Sequence, residues 1–420
     1  MTTTTENPDE LWADLLEHGN RVDPYPLYAR LRAEPVRRLA DGAFVVSGYE
    51  EILQLTGDPR ISSEPGKAQP SDDRAGHDED GAADPGLTSA FVMLDPPKHD
   101  RLRRQTMRHF GPPHAAGYVD GLRAEIHRVA NDLIDGFGDR REIDLVADFA
   151  YPLPVWMICD VLGVPAEDEP LFHAWSEAII APAEATTPEE NEEKQREAAA
   201  ATGQMARYLG ALAESRRGDG QGDLLSGLVN DHGPDGAMSS VEVLNTSIML
   251  LIGGHETTVN MIANGVLTLL RHPDVLARVR QDPDVMPRVF EELLRLEPPA
   301  QVTPKYVALA DVQVDDVTIP AGAPVWMVWA AANRDPRHFS DPDRLDPDRE
   351  AIDHLGFGAG LHSCFGAPLA RLETQIALNE LFRRLVNPRL VTDPPPYRRN
   401  PFLRGPASLR LTFDGVLPAG

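Results

Sequence analysis

The chain has 420 residues, enough for a large core, and 66 acidic against 40 basic side chains give it a net charge of −26. A field of that sign excludes nucleic acid or an anionic membrane as a general electrostatic partner. Two cysteines, Cys159 and Cys364, exclude a disulfide framework and point to a reducing compartment, the cytoplasm. The first ten residues are polar and acidic, with neither the basic nor the apolar region of a signal peptide. They read as a disordered tail, 1–10, ahead of one domain over 11–420. The most apolar run, Ile248 to Gly253, is far too short to span a bilayer, so no membrane anchor is expected.

In chain order, Pro24-Tyr25-Pro26 opens a helix through Leu27 and Leu31. Ala43 to Ser47 reads as a strand and Tyr49 to Thr56 as a short helix. Ser62 to Gly86 is rich in Ser, Gly, Pro and Asp and reads as a mobile loop. Leu122, Ile126, Val129, Leu133 and Phe137 recur at helical spacing and predict one buried face. Val146 to Leu162 is nearly all apolar and reads as one buried helix. Helices follow over Pro170–Ile180 and Glu189–Arg217, with a breaker-rich loop, Ala181 to Pro188, between them. Ser239 to Arg271 is the longest periodic segment. Ser239 with Glu242 three residues on forms a capping-box pattern, and His272-Pro273 stops the helix. Further helices are predicted over Asp274–Gln281 and Val285–Leu296. Strands are predicted over Val312–Ile319, Pro324–Trp329 and Leu409–Phe413, with an irregular loop from Asp335 to Arg349. Helices dominate, so the fold class is mainly α with a minor β region, and no linker cuts the chain.

Phe357-Gly358-Ala359-Gly360-Leu361-His362-Ser363-Cys364-Phe365-Gly366 has the shape of a metal-ligand loop, followed by a helix-compatible run, Ala367 to Leu385. Glycines let backbone N–H groups approach the sulfur. The positive end of the following helix favours a thiolate. A lone thiolate suits haem iron, whose porphyrin supplies four ligands, whereas structural zinc needs about three further donors. A buried small hydrophobe in a glycine turn is the alternative for Cys364, and a core position is the reading for Cys159.

A second unusual string, Gly253-Gly254-His255-Glu256-Thr257-Thr258, sits inside the longest helix. Two adjacent glycines cost a helix about 1 kcal/mol each. Close helix packing is one explanation; a widened groove with an acid and an alcohol facing a ligand is the other. His255 has no assigned role. Glu292 and Arg295 can pair at i and i+3. His99 and Arg103, in Asp95-Pro96-Pro97-Lys98-His99-Asp100-Arg101-Leu102-Arg103, share a helix face suited to one anionic partner. Arg101, Arg103, Arg104 and Arg108 form a basic cluster on an acidic chain. It reads either as a solvated helix face or as a docking patch for an acidic protein.

The ten-residue string resembles the haem-binding signature F-x-x-G-x-H-x-C-x-G of the cytochrome P-450 superfamily at every defined position. The glycine string resembles its [A/G]-G-x-[D/E]-T-[T/S] motif, Glu292 with Arg295 its E-x-x-R pair, and the stretch from Asp95 its D-P-P-x-H-x-x-x-R helix start. The resemblance covers about Leu11 to Phe413 and implies one domain of the largely helical P-450 fold, of the bacterial soluble type. It implies Cys364 as axial ligand of haem b, in a loop shaped by Phe357, Gly358 and Gly366, with His99, Arg103 and His362 on the propionates. It implies that Gly253 and Gly254 make room for dioxygen, that Thr257 holds the activated oxygen and that Glu256 relays protons. Arg349 would close the structural pair of Glu292 and Arg295. Where many bacterial members carry a propionate arginine this chain has Lys305, the candidate substitute.

The implied reaction is monooxygenation, hydroxylation or epoxidation, of a lipophilic molecule such as a macrolide, terpenoid or steroid. Electrons from NAD(P)H would come through a separate ferredoxin and ferredoxin reductase, and a monomer is expected. Pocket candidates by position are Leu87, Val92, Asn245, Met249, Ile252, Val302 and Phe402. A peroxide-using haem-thiolate enzyme and a non-catalytic haem sensor or recruitment protein are the alternatives, and the Glu256-Thr257 pair argues against both.

Overall fold

The computed structural model describes residues 7–68, 90–111, 115, 117–218, 220–303 and 306–419. Along the chain the helices are α1 (Pro8–Leu16), α2 (Tyr25–Arg32), α3 (Tyr49–Gly57), α4 (Lys98–Phe110), α5 (Tyr118–Gly121), α6 (Arg123–Asp135), α7 (Pro152–Leu162) and α8 (Glu169–Ile180). They continue as α9 (Pro188–Ser215), α10 (Leu224–Val229), α11 (Ser240–Arg271), α12 (Pro273–Gln281), α13 (Met286–Leu296), α14 (Trp329–Ala332) and α15 (Ala367–Arg384). Short strands account for the β content, as the composition implied. Contacts group the chain into two compact units.

The first unit takes residues up to 68, Glu291–Phe365 and Tyr397–Arg404. Its centre is a five-stranded sheet, built from β1 (Val36–Arg38), β2 (Phe44–Val46), β3 (Ile61–Ser62) and, much later, two strands past Glu291. Phe44 and Val46 pack into one apolar cluster and Val45 into another. That alternation is the two-residue period of a strand covered on both faces.

The second unit holds residues 90–290, Gly366–Pro396 and 405–419, including β4 (Glu142–Asp144). The remaining strands are β5 (Tyr306–Ala308), β6 (Val312–Val314), β7 (Val317–Ile319) and β8 (Pro324–Met327) in the first unit. The second unit adds β9 (Leu385–Val386), β10 (Arg389–Leu390), β11 (Arg410–Thr412) and β12 (Gly415–Val416). The first unit's sheet runs β1-β2-β8-β5-β3, and only β2 with β8 is parallel, Phe44 opposite Val325.

Helix α11 is the spine of the second unit, packed by α7, α9, α10 and α15. The Ser239 hydroxyl accepts from the Glu242 N–H and the Glu242 carboxylate accepts from the Ser239 N–H, so the capping box is complete. Every residue from Thr258 to Leu269 is buried, the mark of a helix enclosed on all sides. Its N-terminal half is different. Met249, Ile252, Gly253 and Thr257, at helical spacing, are half-buried or exposed, so one stripe is open.

Five expectations change. The tail does not run to residue 10, because Asn7 caps α1 from Pro8. Val146–Leu162 is not one helix: a wide π-type turn, Val146–Ala150, precedes α7, which starts at Pro152, where the missing N–H costs nothing. Val312–Ile319 is a hairpin, because Asp315 turns the chain at φ 48°. Ser62 belongs to β3, so the start of the expected mobile loop is structured; residues 69–86 of it lie outside the described residues. A short 3-10 turn, Ala181–Glu184, occupies part of the predicted α8–α9 loop.

Candidate active site

The cysteine loop belongs to the first unit. The Asn333 carboxamide oxygen accepts from the Leu355 N–H at 2.7 Å, and His354 reaches Glu291 at 2.8 Å, so the chain is pinned just before the loop. The Cys364 N–H then donates to the Phe357 carbonyl at 2.8 Å and closes it. Gly358 and Gly360 adopt φ of 68° and 67°, which only glycine enters without strain. A Cβ at Gly360 would also collide with the Thr56 carbonyl at the end of α3. His362 ends a 3-10 turn, Gly360–His362, and the Cys364 thiol is exposed. One exposed thiol in a rigid glycine loop fits an iron that takes its other ligands from a macrocycle. Cys159 is the opposite case: it is buried in α7, and burial pushes its thiol up to about 12.

Beside the loop, the structure brings Glu292, Arg295 and Arg349 together. Arg295 donates to both Glu292 oxygens at 2.6 and 3.0 Å, and Arg349 adds a bond at 3.1 Å. Glu292 and Arg295 are fully buried, and Arg295 also donates to the carbonyls of Asn333, Pro342 and Arg344. One guanidinium therefore ties together the chain from Asn333 to Arg344, ahead of the cysteine loop.

In the second unit, the Thr257 and Thr258 hydroxyls donate to the Gly253 and Gly254 carbonyls at 2.8 and 2.9 Å, the usual habit of helical threonine. Among the described residues nothing lies within 4 Å of a Cβ placed on Gly253, so there this glycine leaves open space. Gly254 does not: its Cβ would meet Ile158 of α7 at 3.5 Å. The two glycines therefore differ in their surroundings: a methyl group on Gly254 would touch α7 at ordinary contact distance. Glu256 is buried on α11. His255 is buried too, edge-on to Tyr151 at 4.3 Å, and Tyr151 in turn packs on His173. The sequence signalled none of that stack, since its members come from three distant segments.

On α4, His99 is buried edge-on to Phe91, with its Nδ1 2.8 Å from Asp100. Arg103 is half-buried one turn on. The other arginines of the cluster are not a bare patch. Arg101 pairs with Glu242, Arg104 with Asp235, and Arg108 with Asp231 and Asp235. Those acids come from the segment leading into α11 and from its first turn, more than 120 residues away in sequence, so no local signal reveals them.

Among the pocket candidates, Met249 and Ile252 lie on the open stripe of α11, and Val92 is exposed in the turn Phe91–Met93. Asn245 is buried two turns before Gly253, and its Nδ2 has no hydrogen-bond partner among the described residues. Val302 is a core residue instead, packed with Tyr28 and Val45 in the first unit. Phe402 stacks on Trp326 at 5.5 Å against the same core. Backbone bonds from Gln301 and Val302 to the Phe402 carbonyl turn both side chains into that cluster. Leu87 and Lys305 lie outside the described residues. Gly366 directly precedes the first residue of α15.

The family model "Cytochrome P450" matches residues 66–413, which run through both units. The chain belongs to the cytochrome P450 family, and its fold is the P450 fold. The 6-deoxyerythronolide B hydroxylase of Saccharopolyspora erythraea is 35% identical, over 96% of this chain and 99% of that protein. The vitamin D(3) 25-hydroxylase of Pseudonocardia autotrophica is 38% identical, over 98% and 99%. The crystal structure of myxobacterial cytochrome P450 CYP267B1 in complex with myristic acid superposes with a TM-score of 0.84 at 36% identity, over 96% and 99%. The protein is a P450 monooxygenase, a family that uses haem iron and dioxygen. No helix among the described residues is long and apolar enough to cross a membrane.

Proposed function

We propose that this enzyme hydroxylates or epoxidises a macrolactone-like or similarly lipophilic natural product, with electrons passed from NAD(P)H through a separate ferredoxin and ferredoxin reductase. The relatives named for 6-deoxyerythronolide B and vitamin D(3) support a bulky, mostly apolar substrate. The observation that carries the chemistry is the exposed Cys364 thiol in its rigid glycine loop; in the other unit, an open stripe on α11 bears Thr257 beside buried Glu256.

In this reading Cys364 would hold the haem iron, His99, Arg103 and His362 would hold the propionates, and Phe357, Gly358 and Gly366 would shape the loop. Haem bound there supplies dioxygen activation and transfer of one oxygen atom to the substrate. Glu292, Arg295 and Arg349 keep the approach to the loop rigid. Gly253 keeps a side chain out of the reacting space. Thr257 Oγ1 donates to the Gly253 carbonyl, so its lone pairs are left to orient a proton donor over the open stripe. Glu256, next along the helix, resupplies that proton from solvent. Met249 and Ile252 offer apolar surface on the same stripe.

The ferrous carbon-monoxide difference spectrum tests the ligand. Wild type should give the strongly red-shifted Soret band of a thiolate-bound haem, and Cys364→Ser should lose it. An unshifted band in wild type would rule out the thiolate. Thr257→Ala tests proton delivery. NAD(P)H consumption should persist, peroxide should accumulate, and product per electron should fall by about tenfold or more. An unchanged yield would remove Thr257 from the mechanism.

A further inference from the structure

The arginine cluster of α4 raises a question that the family's chemistry leaves open. An acidic electron donor needs exposed cationic groups, yet Arg101, Arg104 and Arg108 already hold carboxylates of their own chain. Arg108 is bound at 2.5 Å to Asp231 and at 2.7 Å to Asp235, and its side chain is 15% exposed. The segment is moulded around it: a Cβ on Gly233 would come within 2.8 Å of the guanidinium carbon. Arg101 is held by Glu242, whose carboxylate also completes the α11 capping box, and by Gln105 at 3.0 Å. Gln105 in turn donates to the Gly236 carbonyl at 2.8 Å. Arg104 stands apart. Its side chain is 59% exposed and, among the described residues, its single carboxylate partner is Asp235, at 3.0 Å.

We infer that the segment Asp231–Glu242 is an internal competitor for the α4 arginines, and that Asp235 sets how tightly an acidic redox protein docks on Arg104. This rests on the reading that electrons come from a separate acidic protein. Arg101 and Arg108 are fixed by two or more bonds each and act as anchors. Arg104 has one, at the solvent edge, where an ion pair is weak and exchangeable. An incoming carboxylate therefore displaces Asp235 from Arg104, while Arg108 stays bound to Asp231. Docking exchanges one ion pair for another, which favours fast, weak and salt-sensitive association over a tight complex.

The test uses the haem-loaded enzyme and an oxidised, acidic plant-type [2Fe–2S] ferredoxin, titrated calorimetrically at low and at physiological ionic strength. Asp235→Asn should tighten binding about two- to fivefold at low salt and steepen its salt dependence. Arg104→Gln should weaken binding by a similar factor, and the double variant should match Arg104→Gln. With saturating ferredoxin, kcat of Asp235→Asn should equal that of wild type, because only docking changes. Wild-type binding that neither variant alters overturns the competitor role alone. Absence of binding by both wild type and Asp235→Asn overturns the ferredoxin reading with it.

Discussion

The ion-pair networks around the cysteine loop and on α4 use the same side-chain types and serve opposite ends. Around the loop, Glu292 and Arg295 are fully buried and every strong donor of Arg295 is spent, on a carboxylate or on carbonyls. On α4, Arg104 keeps one partner and more than half of its side chain in water. Burial makes an ion pair irreplaceable, because a partner left alone carries an unpaid desolvation cost. Exposure makes it exchangeable, because water and incoming charges compete. The first kind suits a loop that must hold one geometry, the second a surface that must bind and release.

The sharpest way to break this comparison is to truncate the buried pair. Glu292→Ala strands Arg295 without its carboxylate and should cost about 3–5 kcal/mol, seen as a large drop in the chemical denaturation midpoint and poor haem retention. A loss under 1 kcal/mol would place this pair in the same class as Arg104.

A half-buried carboxylate, Glu297, makes the same point through pH. Burial alone would raise the Glu297 pKa, but Arg404 and Arg334, with the Tyr25 hydroxyl, hold the carboxyl below its usual range. A depressed carboxylate contributes stability above its ordinary pKa of about 4.3, lost as pH falls through the folded value. Glu297→Gln should lower the thermal midpoint at neutral pH, by about 1–3 kcal/mol in stability terms. The gap to wild type should begin to narrow as pH falls below about 4.3 and close once pH passes the folded value. A gap that stays constant as the protein is acidified would show that the charge is not its source.

Gly360→Ala probes backbone instead of charge. The left-handed conformation and the Thr56 carbonyl both oppose a methyl group, so a cost of about 1–3 kcal/mol is expected. The damage should be local, with a weakened red-shifted band at nearly normal helix content. The smallest effect belongs to Arg104→Gln, under about 1 kcal/mol in stability. A larger loss would move Arg104 from the docking surface to the scaffold.

Much of this protein was legible in one dimension. The capping box and proline stop of α11 are local patterns, and they marked its ends correctly. The cysteine string and the glycine-threonine string are local as well, since each needs its residues at fixed short spacing. What misled was also local. The apolar run from Val146 hid a helix start at Pro152, because composition does not mark where backbone bonding changes from a wide turn to an α-helix. Two- and three-residue strands such as β1 and β5 are too short to show a period, and they exist because their partners in the sheet hold them.

The sequence alone therefore determined the cysteine loop, the adjacent acid and alcohol of Glu256 and Thr257 and the long helix that carries them, because those depend on neighbours within about one or two turns of chain. Only the tertiary structure decided that Gly253 faces open space while Gly254 faces Ile158. It also decided that Val302 is core, and that Arg101, Arg104 and Arg108 are already paired with Asp231, Asp235 and Glu242. Each of those outcomes turns on a contact between residues nearly a hundred or more positions apart, and side-chain burial and ion pairing depend on distance in space, not on separation along the chain.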